Sequence, residues 1–514
     1  MITMTKKKKK KKKLKLKLNN IFVLLSIITS LLLIYRISKL GPIEPTMRGI
    51  VVLILLTIDF IFFYYKKNLK HFFALFVMLI FVTINIFAAN LIGEAYGSLD
   101  SINKKHITYS TYLVALKSSD MDTIQDVKEK NVGMLNDTLS IDNYVIAKEL
   151  IAEHKLEEEN TIQDYDDVAI MLHDLYNNKI DAMLISSNYK EMFATTEGYE
   201  NIADELKVIA SKEKSVKKNE IEASANTEKS IDKPFTVLLM GVDSEKDGLK
   251  KNAYANGDSL ILITFNPDTY NTTMMSIPRD SYLPIACKNN KKNKLTHAGW
   301  YGTDCMMQTI ENTFDIPIDY YVKINFKGVV GLVDALGGIE VDVPKKLCTD
   351  DSNRQGTICI DKGHQTLDGE HALVFARNRY DLAQGDIDRG YNQQTLIKAM
   401  INKVTTLRNI NTVLDILDTV SNNLDTNLTT TEILSFYNIF KQIITSTNYQ
   451  EGDALNIEQL KLSGQGKMIY YQNLKQRLWN YILEEDSIEE VSKTMKINLG
   501  LEEPDMVKTF NFQP

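Results

Sequence analysis

Three long apolar runs dominate the first hundred residues of the chain. They read IFVLLSIITSLLLIY from Ile21, GIVVLILLTIDFIFFYY from Gly49 and FFALFVMLIFVTINIFAANLIG from Phe72. A helix that crosses a bilayer needs about 17 to 25 apolar residues, so the third run is comfortably long and the first two lie near the short end. Because a signal peptide would supply only one such run, the pattern predicts three transmembrane helices over residues 21–93.

After the third run, short apolar segments alternate with amphipathic ones. TYLVALK, VGML and DAMLISS have the character of strands, whereas IDNYVIAKELIAEH and YDDVAIMLHDLYNNKI have helical spacing. This alternation predicts a small α/β accessory domain over residues 95–210, in which no catalytic motif is visible. The polar, lysine-rich stretch 211–234 ends in Pro234 and is predicted to be a linker.

A second, larger α/β domain is predicted over residues 235–514. TVLLMGVD, DSLILITFNP and YYVKINF are continuous apolar runs, typical of strands buried on both faces, and TDCMMQTIENTF is typical of a helix. Beyond Gln393, TLIKAMINKVTTL, TVLDILDTVSNNL, TTTEILSFYNIFKQI and NLKQRLWNYIL carry apolar residues at three- and four-residue spacing. They predict C-terminal packing helices.

Charge predicts the orientation in the membrane. Residues 1–20 form a lysine-rich tail, the second loop reads YYKKNLKH, and the first loop, SKLGPIEPTMR, carries less positive charge. The tail and second loop are therefore expected in the cytoplasm, and three spans place everything after about residue 95 outside. We expect the tail to contact anionic lipid headgroups; a nucleic-acid-binding arm is disfavoured because the lysines have no interleaved aromatic residues.

All four cysteines lie in the predicted outer region. An even number in an oxidising compartment favours two disulfides, and the pairs closest in sequence are Cys287 with Cys305 and Cys348 with Cys359. The alternative is four unpaired core cysteines. A zinc site is disfavoured, since there is neither a C-x-x-C motif nor a histidine partner.

Two aspartates mark a candidate metal site. Asp243 ends the run TVLLMGVD, and Asp258 begins DSLILITFNP. If these strands are antiparallel neighbours, the two carboxylates meet at one end of the sheet, where they could hold a hard cation such as Mg²⁺ or Mn²⁺. The alternative is that each aspartate caps a turn.

Arginines form the second half of the candidate site. Arg279 and Asp280 end the run TTMMSIPRD, and ARNRYDLAQGDIDRGYNQQ follows about a hundred residues later. ARNRY is interpreted as extended chain that follows a helix capped by Asp368, so that Arg377 and Arg379 share one side. Arg389 and Gln393 share a helix face. Arginine forks suit phosphate oxygens, so the set predicts a phosphoryl-transfer site; the alternative is a salt-bridge network that closes the sheet.

The longest motifs carry a family resemblance. TVLLMGVD, NGDSLILITFNP, SIPRDSYL, NKLTHAGWYG, IPIDYYVKINFKGVVGLVDALGGIEVDVP and ALVFARNRYDLAQGDIDRGYNQQ, in this order, resemble the LytR-CpsA-Psr (LCP) family of Gram-positive cell envelopes. The three-span anchor and the accessory domain resemble its capsule-associated, CpsA-like branch.

The resemblance implies an α/β sandwich with a mixed sheet that binds a polyprenyl pyrophosphate lipid and transfers a capsular or related glycopolymer onto peptidoglycan with Mg²⁺ or Mn²⁺. It places the metal carboxylates at Asp243 and Asp258. The pyrophosphate arginines implied by the motifs are Arg279, Arg377, Arg379 and Arg389, and the further polar positions are Lys294, Asp386 and Gln393. Expected partners are the polyprenyl-linked polysaccharide, peptidoglycan, the membrane and capsule synthesis proteins, with no nucleic acid.

One position departs from the family pattern. The family usually has an arginine two residues before the second metal aspartate, and this chain has Asn256. The loss of a head-group donor could weaken binding, shift substrate preference or leave a protein that binds without turnover. The first two outcomes are favoured, because the other motif arginines are all present. For the acceptor hydroxyl, Asp280 or Asp386 could take the proton, or a metal alone could lower the hydroxyl's pKa, whereas His297 is more often structural than a base.

Two other classes of function stay open from the sequence. One is a lipid-binding membrane regulator of capsule synthesis, with the lysine tail signalling inside. The other is a scaffold for a polysaccharide export complex. The regulator would depend on the tail and not on Arg377, and the scaffold would depend on neither.

Overall fold

The structure is a computed structural model of the chain. It describes residues 2–40, 45–65, 71–102, 106–138, 140–193, 198–199, 201–217, 231–242, 249, 257–350, 356–406, 416, 419–445, 455–471 and 476–504. The contacts divide the chain into two compact units. The first contains the N-terminal helices together with Leu428–Asn448, and the second contains both α/β domains.

Three apolar helices form the N-terminal part. They are α1 (Ile2–Ser38), α2 (Pro45–Tyr65) and α3 (His71–Ile102). Each contains a segment long and apolar enough to cross a membrane, which confirms the three predicted spans, Leu18–Ser38, Pro45–Tyr65 and Phe73–Glu94. Buried polar contacts join the helices, since Ser26 Oγ donates to Asp59 (2.8 Å) and Asn85 Nδ2 to Ser30 Oγ (3.0 Å). Such interhelical hydrogen bonds are typical of membrane bundles.

The accessory domain has a five-stranded mixed sheet. Its strands are β1 (His106–Leu116), β2 (Asn131–Leu135), β3 (Thr161–Tyr165), β4 (Ala182–Ser186) and β5 (Leu206–Lys217), in the order β3-β2-β4-β1-β5. A π-helix (Ile141–Ile146) and the helices α4 (Ala147–Glu153), α5 (Leu156–Glu159), α6 (Val168–Tyr176), α7 (Tyr189–Phe193) and α8 (Ile202–Glu205) accompany it. The predicted accessory α/β fold is thus present.

The predicted linker boundary at residue 211 is wrong. Strand β5 continues to Lys217, where it pairs with His106 of β1. The segment SKEKSVK has the polar composition of a linker because β5 is the edge strand of the sheet. Charged side chains, lysine above all, are common on edge strands because they discourage pairing with other chains.

The larger domain is built on a six-stranded mixed sheet. Its strands are β6 (Phe235–Val242), β7 (Ser259–Phe265), β8 (Asn271–Ser276), β11 (Tyr320–Asn325), β16 (Leu424–Thr426) and β17 (Asn456–Leu460), in the order β16-β11-β6-β7-β8-β17. Strand β6 is parallel to β11 and antiparallel to β7, which is the condition under which the sequence places Asp243 and Asp258 at one end of the sheet. The α/β fold with a mixed sheet is confirmed.

Four two-stranded ribbons and six helices are also described after residue 281. The helix Thr430–Thr445 belongs to the first unit, and the other five helices belong to the second. The ribbons pair β9 (Tyr282–Ile285) with β10 (Lys291–Lys294), β12 (Ile339–Val343) with β15 (Gly363–Leu367), β13 (Leu347–Asp350) with β14 (Thr357–Ile360), and β18 (Gly464–Tyr471) with β19 (Gln476–Leu483). The helices are α9 (Thr303–Phe314), α10 (Phe326–Ala335), α11 (Gly369–Arg377), α12 (Asp386–Thr405), α13 (Thr430–Thr445) and α14 (Glu485–Asn498). Side chains of β6, β7, β8, α9 and α14 form one core, and α10, α11 and β12–β15 form another.

The C-terminal helices are only partly as predicted. TLIKAMINKVTTL lies in α12 and TTTEILSFYNIFKQI in α13, whereas much of TVLDILDTVSNNL lies outside the described residues. The helix predicted for NLKQRLWNYIL is wrong, because Gln476–Leu483 is strand β19. Leu478 and Asn480 are buried and alternate with the exposed Arg477 and Trp479, so the two-residue period of a strand overrides the helical interpretation.

Both predicted disulfides are present. Cys287 is bonded to Cys305, which joins the end of β9 to α9, and Cys348 is bonded to Cys359, across the ribbon of β13 and β14. The alternative of four unpaired cysteines is thereby excluded.

Candidate active site

The site begins where β6 ends and β7 starts. Because the two strands are antiparallel, Gly241 lies opposite Ser259, and the backbone N–H of Asp258 donates to the Gly241 carbonyl (3.1 Å). This places the Asp258 carboxylate at the end of the sheet predicted from the sequence. The other predicted metal ligand, Asp243, lies outside the described residues, as does Asn256.

Arg279 binds the Asp258 carboxylate. The segment after β8 carries Arg279 back to Asp258, and Arg279 Nε lies 3.8 Å from Asp280 Oδ2. Lys294 Nζ approaches the other oxygen of Asp280 at 2.9 Å. Burial opposes the charged form of Arg279, but attraction to Asp258, Asp280 and Asp386 outweighs it, so the pKa of Arg279 is raised.

The first turns of α12 add a second arginine. Arg389 donates to the backbone carbonyl of Asp258 (3.0 Å) and lies 2.5 Å from the carboxylate of Asp386, one turn earlier. Burial lowers the pKa of Arg389, and the like charges of Arg279 and Arg379 add to this effect, against the attraction of Asp386. Arginine stays protonated in proteins, so Arg389 remains a cation despite its burial.

Gln393 and Ser259 form a hydrogen-bonded link across the site. The Ser259 hydroxyl donates to Gln393 Oε1 (2.8 Å), and Gln393 Nε2 donates to the carbonyl of Ala376 near the end of α11 (3.0 Å). Gln393 thus joins β7 to the helix that ends in Arg377. The sequence prediction did not include Ser259, although it directly follows Asp258 in NGDS.

Arg377 and Arg379 lie on the far side of that link. Arg377 is the last residue of α11, so the chain is helical up to this residue and not extended as predicted, and its guanidinium lies over the Phe326 ring (4.2 Å). Arg379 contacts Tyr380 and is close enough to lower the pKa of Arg389. The helix begins at Asp368, whose carboxylate accepts from His371 N–H (3.0 Å), as predicted for an N-cap.

The donor set fits a metal that binds together with a phosphate. Among the residues that the structure describes, no three His, Cys, Asp or Glu side chains are grouped to hold a metal ion. Mg²⁺, however, is commonly held by only one or two carboxylates, with substrate phosphate and water completing its oxygen shell. Asp258 provides one such carboxylate beside Arg279 and Arg389.

His297 occupies a structural position and not that of a base. Its ring stacks on Trp300 with centroids 3.8 Å apart, and Nδ1 lies 2.9 Å from Asn293 Oδ1. Burial, followed by the charges of Lys294 and Arg279, lowers the pKa of His297 well below its ordinary value. The imidazole is therefore neutral at physiological pH.

Trp300 connects this motif to the accessory domain. The indole is 1% exposed and packs within the core formed by α6, α7 and β4. Its N–H donates to the Met192 carbonyl (3.1 Å), and its ring centroid lies 4.9 Å from that of Phe193. The sequence motif NKLTHAGWYG thus has an arginine site at one end and the accessory domain at the other, a connection that no feature of the sequence indicated.

Chemically, the site alternates carboxylates with guanidinium groups in a largely buried volume. Such an arrangement can accept a multiply charged anion, because the planar guanidinium fork matches the geometry of phosphate oxygens. Asp280 and Asp386 are the carboxylates that can take a proton from a hydroxyl group beside that anion.

Comparison with known proteins identifies a family and several relatives of this chain. The model of the LytR_cpsA_psr family matches residues 193–497. The polyisoprenyl-teichoic acid–peptidoglycan teichoic acid transferase TagU of Bacillus subtilis is 34% identical over 284 residues, which cover 55% of this chain and 82% of that protein. Biofilm regulatory protein A of Streptococcus mutans is 34% identical over 259 residues, 47% of this chain and 63% of that protein. The crystal structure of B. subtilis TagV aligns with 53% of this chain and 100% of its own, at 29% identity and a TM-score of 0.44.

Proposed function

Because the chain belongs to the LytR-CpsA-Psr family, we propose that it transfers a glycopolymer from a polyprenyl pyrophosphate carrier onto peptidoglycan. Relatives named as teichoic acid transferases support this reaction class. The polymer is proposed to be capsular or closely related. The accessory domain and three-span anchor support this choice through the resemblance to the capsule-associated branch.

The observation that carries the proposal is the double contact to Asp258. Arg279 binds its carboxylate and Arg389 binds its carbonyl, so the start of β7 holds two arginines that come from different elements. A purely structural ion pair would need one partner. The four motif arginines and Lys294 carry five positive charges against three carboxylates, and this excess suits a ligand with phosphates.

The proposed reaction is an exchange of phosphate esters. An acceptor hydroxyl oxygen of peptidoglycan attacks the sugar-linked phosphorus, a new P–O bond forms, and the P–O bond to the bridging oxygen breaks. Polyprenyl monophosphate leaves with that oxygen and its electron pair. The proton of the hydroxyl passes to Asp280 or Asp386, and Arg279, Arg389, Arg379 and Arg377 neutralise the phosphates. Lys294 holds Asp280 in place, and Gln393 holds α12 against β7.

Mg²⁺ or Mn²⁺ is part of the proposal. The residues that would hold it are Asp258 and Asp243, and a bound divalent cation would neutralise charge on the pyrophosphate. The tail and the second loop are proposed to be cytoplasmic and both α/β domains extracellular, where the lipid carrier, peptidoglycan and capsule synthesis proteins are the partners.

Bound lipid tests the proposal. We expect full-length protein purified in detergent to carry polyprenyl phosphate or pyrophosphate, detected by mass spectrometry, and Arg279→Ala to lose it. Lys212→Ala, which removes a surface ion pair with Glu153, should keep the lipid. Thermal melts of all three proteins check that they are folded.

Turnover separates binding from catalysis. Wild-type protein with polyprenyl-pyrophosphate-linked polymer and peptidoglycan should release polyprenyl monophosphate and attach polymer to the wall. Release of polyprenyl monophosphate without attachment of polymer to peptidoglycan would overturn the proposed transferase function. The absence of bound lipid from folded wild-type protein would also overturn it.

A regulator is the second candidate, because a relative is named as a biofilm regulatory protein. Deletion of Lys6–Lys13 distinguishes the two functions. A transferase loses wall-linked polymer with Arg279→Ala and keeps it when these lysines are deleted, whereas a regulator that signals through its tail shows the reverse. A scaffold for polymer export would be insensitive to both changes.

A further inference from the structure

The ribbon of β18 and β19 exposes an unusual set of side chains on one face. Met468 lies opposite Trp479 and Tyr470 opposite Arg477, and opposed residues of an antiparallel pair point to the same side. Met468 is 49% exposed, Tyr470 52% and Trp479 41%. On the other face of β19, Leu478 and Asn480 are buried. We call Met468, Tyr470, Arg477 and Trp479 the ribbon face.

Two glycines hold the aromatic rings flat on the ribbon. A Cβ atom built on Gly466 would lie 2.8 Å from Trp479 Nε1 and 3.0 Å from its Cζ2. A Cβ built on Gly464 would lie 2.6 Å from Cε1 of Tyr481. Each ring therefore rests on a stretch of backbone that has no side chain. One side of the Trp479 indole is supported by Gly466, and the opposite side is open to solvent.

The ribbon is attached to the candidate active site. Tyr481 N–H donates to the carbonyl of Asp280 (2.9 Å), and Tyr481 forms a parallel bridge with Ser281. The Tyr471 ring also lies near that of Tyr282, with centroids 6.3 Å apart. The ribbon is thus joined through Tyr481 to the segment that carries Arg279 and Asp280, and Trp479 lies two residues before Tyr481 on β19.

We propose that the ribbon face binds a glycan chain next to the reacting phosphate. A flat aromatic ring that is supported from behind suits the C–H face of a pyranose, and Arg477 and the Tyr470 hydroxyl provide hydrogen bonds at its edge. A sugar chain is also what must extend from the phosphate in the reaction proposed above, on which this inference rests. The occupant is the transferred polymer, because in the proposed reaction that glycan is covalently linked to the reacting phosphate.

Tryptophan fluorescence tests the proposal on the full-length protein in detergent. The chain has two tryptophans, and Trp300 is 1% exposed, so acrylamide quenching reports mainly on Trp479. We expect soluble capsular polysaccharide to protect Trp479 from quenching. Soluble peptidoglycan strands are titrated separately, and protection by these strands alone would overturn the assignment to the transferred polymer. Trp300→Phe should leave this signal intact.

Truncation of the ring gives the second measurement. Trp479→Ala should weaken binding of the effective glycan at least about tenfold, as loss of a central aromatic contact does at interfaces. Leu501→Ala is the matched control, because Leu501 is also exposed (56%) and lies off the ribbon. Equal glycan affinity in the wild type and Trp479→Ala, or no protection of Trp479 by either glycan, would overturn the proposed glycan site on the ribbon face.

Bound lipid keeps the two proposals separable. Trp479→Ala should retain co-purified polyprenyl phosphate, because Trp479 is not among the residues proposed to bind the phosphates. If wild-type protein carries lipid but glycan does not protect Trp479, the glycan site on the ribbon face is excluded and the transferase function is not. If glycan protects Trp479 but the protein has neither lipid nor transfer activity, only the transferase function is excluded. Quenching of Trp479 by brominated lipids in nanodiscs would show that the ribbon face contacts the membrane, and this result would overturn the proposed glycan site.

Discussion

Arg389 shows how one side chain can serve two contacts at once. Its guanidinium reaches the carboxylate of Asp386 on its own helix and the carbonyl of Asp258 on β7. A planar fork with five N–H donors can do this and still bind phosphate, whereas an ammonium group acts as a point charge. The contact therefore depends on arginine itself and not only on a positive charge.

Arg389→Lys is expected to fold and to lose most of its activity. The lysine keeps the charge beside Asp386 but cannot also reach the Asp258 carbonyl, so transfer should fall by about 10- to 1,000-fold, as when an electrostatic donor is removed from a catalytic site. Release of polyprenyl monophosphate from a labelled donor measures this. Lys212→Arg, on the surface of the accessory domain, is the control, and wild-type rates for Arg389→Lys would exclude a role for the fork.

Because His297 is buried and neutral, the free energy of unfolding is expected to depend on pH. Its pKa is lowered in the folded protein, so below the unfolded value of about 6.5 the unfolded chain binds a proton that the folded chain does not. The free energy of unfolding then decreases as pH falls from 6.5, by up to about 1.4 kcal/mol per pH unit until the lowered folded pKa is reached. His297→Phe and His297→Gln, which do not titrate, should show a shallower decrease in denaturant melts between pH 5 and 7. A slope equal to that of wild type in both variants would contradict a neutral, buried His297.

At the scale of elements, what could be predicted depended on whether the information was local. The order of the main strands follows from apolar runs, and the meeting of Asp258 with the end of β6 follows from one assumption, that neighbouring strands are antiparallel. The strand at Gln476–Leu483 was interpreted as a helix because Leu478, Tyr481 and Ile482 also fit a helical spacing. Only pairing with β18, which is non-local, decides for a strand.

The link between Trp300 and the accessory domain was beyond sequence reasoning for the same reason. A tryptophan in a motif beside the arginines gives no sign that its partners, Met192 and Phe193, lie about a hundred residues earlier. The two domains together bury the Trp300 side chain, and the surface against which it packs depends on the positions of α6 and α7.

Trp300→Ala should loosen the accessory domain. Removing a fully buried tryptophan costs about 3–5 kcal/mol, and the loss falls on the contact between α7 and the motif that carries His297. Hydrogen exchange should increase in residues 189–193 and 293–301, and Trp300→Phe should restore most of the protection. The exposed Trp479→Ala is the matched control. Protection unchanged in Trp300→Ala would show that the two domains are joined by other contacts.

The Cys287–Cys305 disulfide is expected to stabilise the larger domain. The Cys287–Cys305 bond closes a loop with a sequence separation of 18, and Cys305 is buried in the core of the sheet. Replacing both residues by alanine should lower the free energy of unfolding by about 3 kcal/mol, the value expected from loop entropy. Thermal melts check this against the matched pair Cys348→Ala and Cys359→Ala, whose loop is shorter and should cost less. An equal or larger loss from the second pair would contradict the entropic argument.

At the scale of the whole molecule, charge separates the chain into two parts. Residues 1–95 contain 16 of the 60 lysines and arginines and 3 of the 66 acidic residues, which leaves 44 basic and 63 acidic residues after the third span, a net charge of −19. The cluster of arginines is therefore a local feature of an acidic surface. Anionic polymers are expected to be repelled except at that cluster, which favours binding at one place.

Cysteine labelling tests the orientation that follows from these charges. The wild-type cysteines are all in disulfides, so an impermeant maleimide should not react with intact cells. Lys128→Cys, in the accessory domain, and Leu501→Cys, in the larger domain, replace exposed side chains and should be labelled without permeabilisation. Lys10→Cys in the tail should react only after the membrane is opened, because the lysine-rich side of the first span stays in the cytoplasm. The reverse pattern would place the arginine site inside the cell, away from peptidoglycan, and would exclude the transferase together with the proposed glycan site.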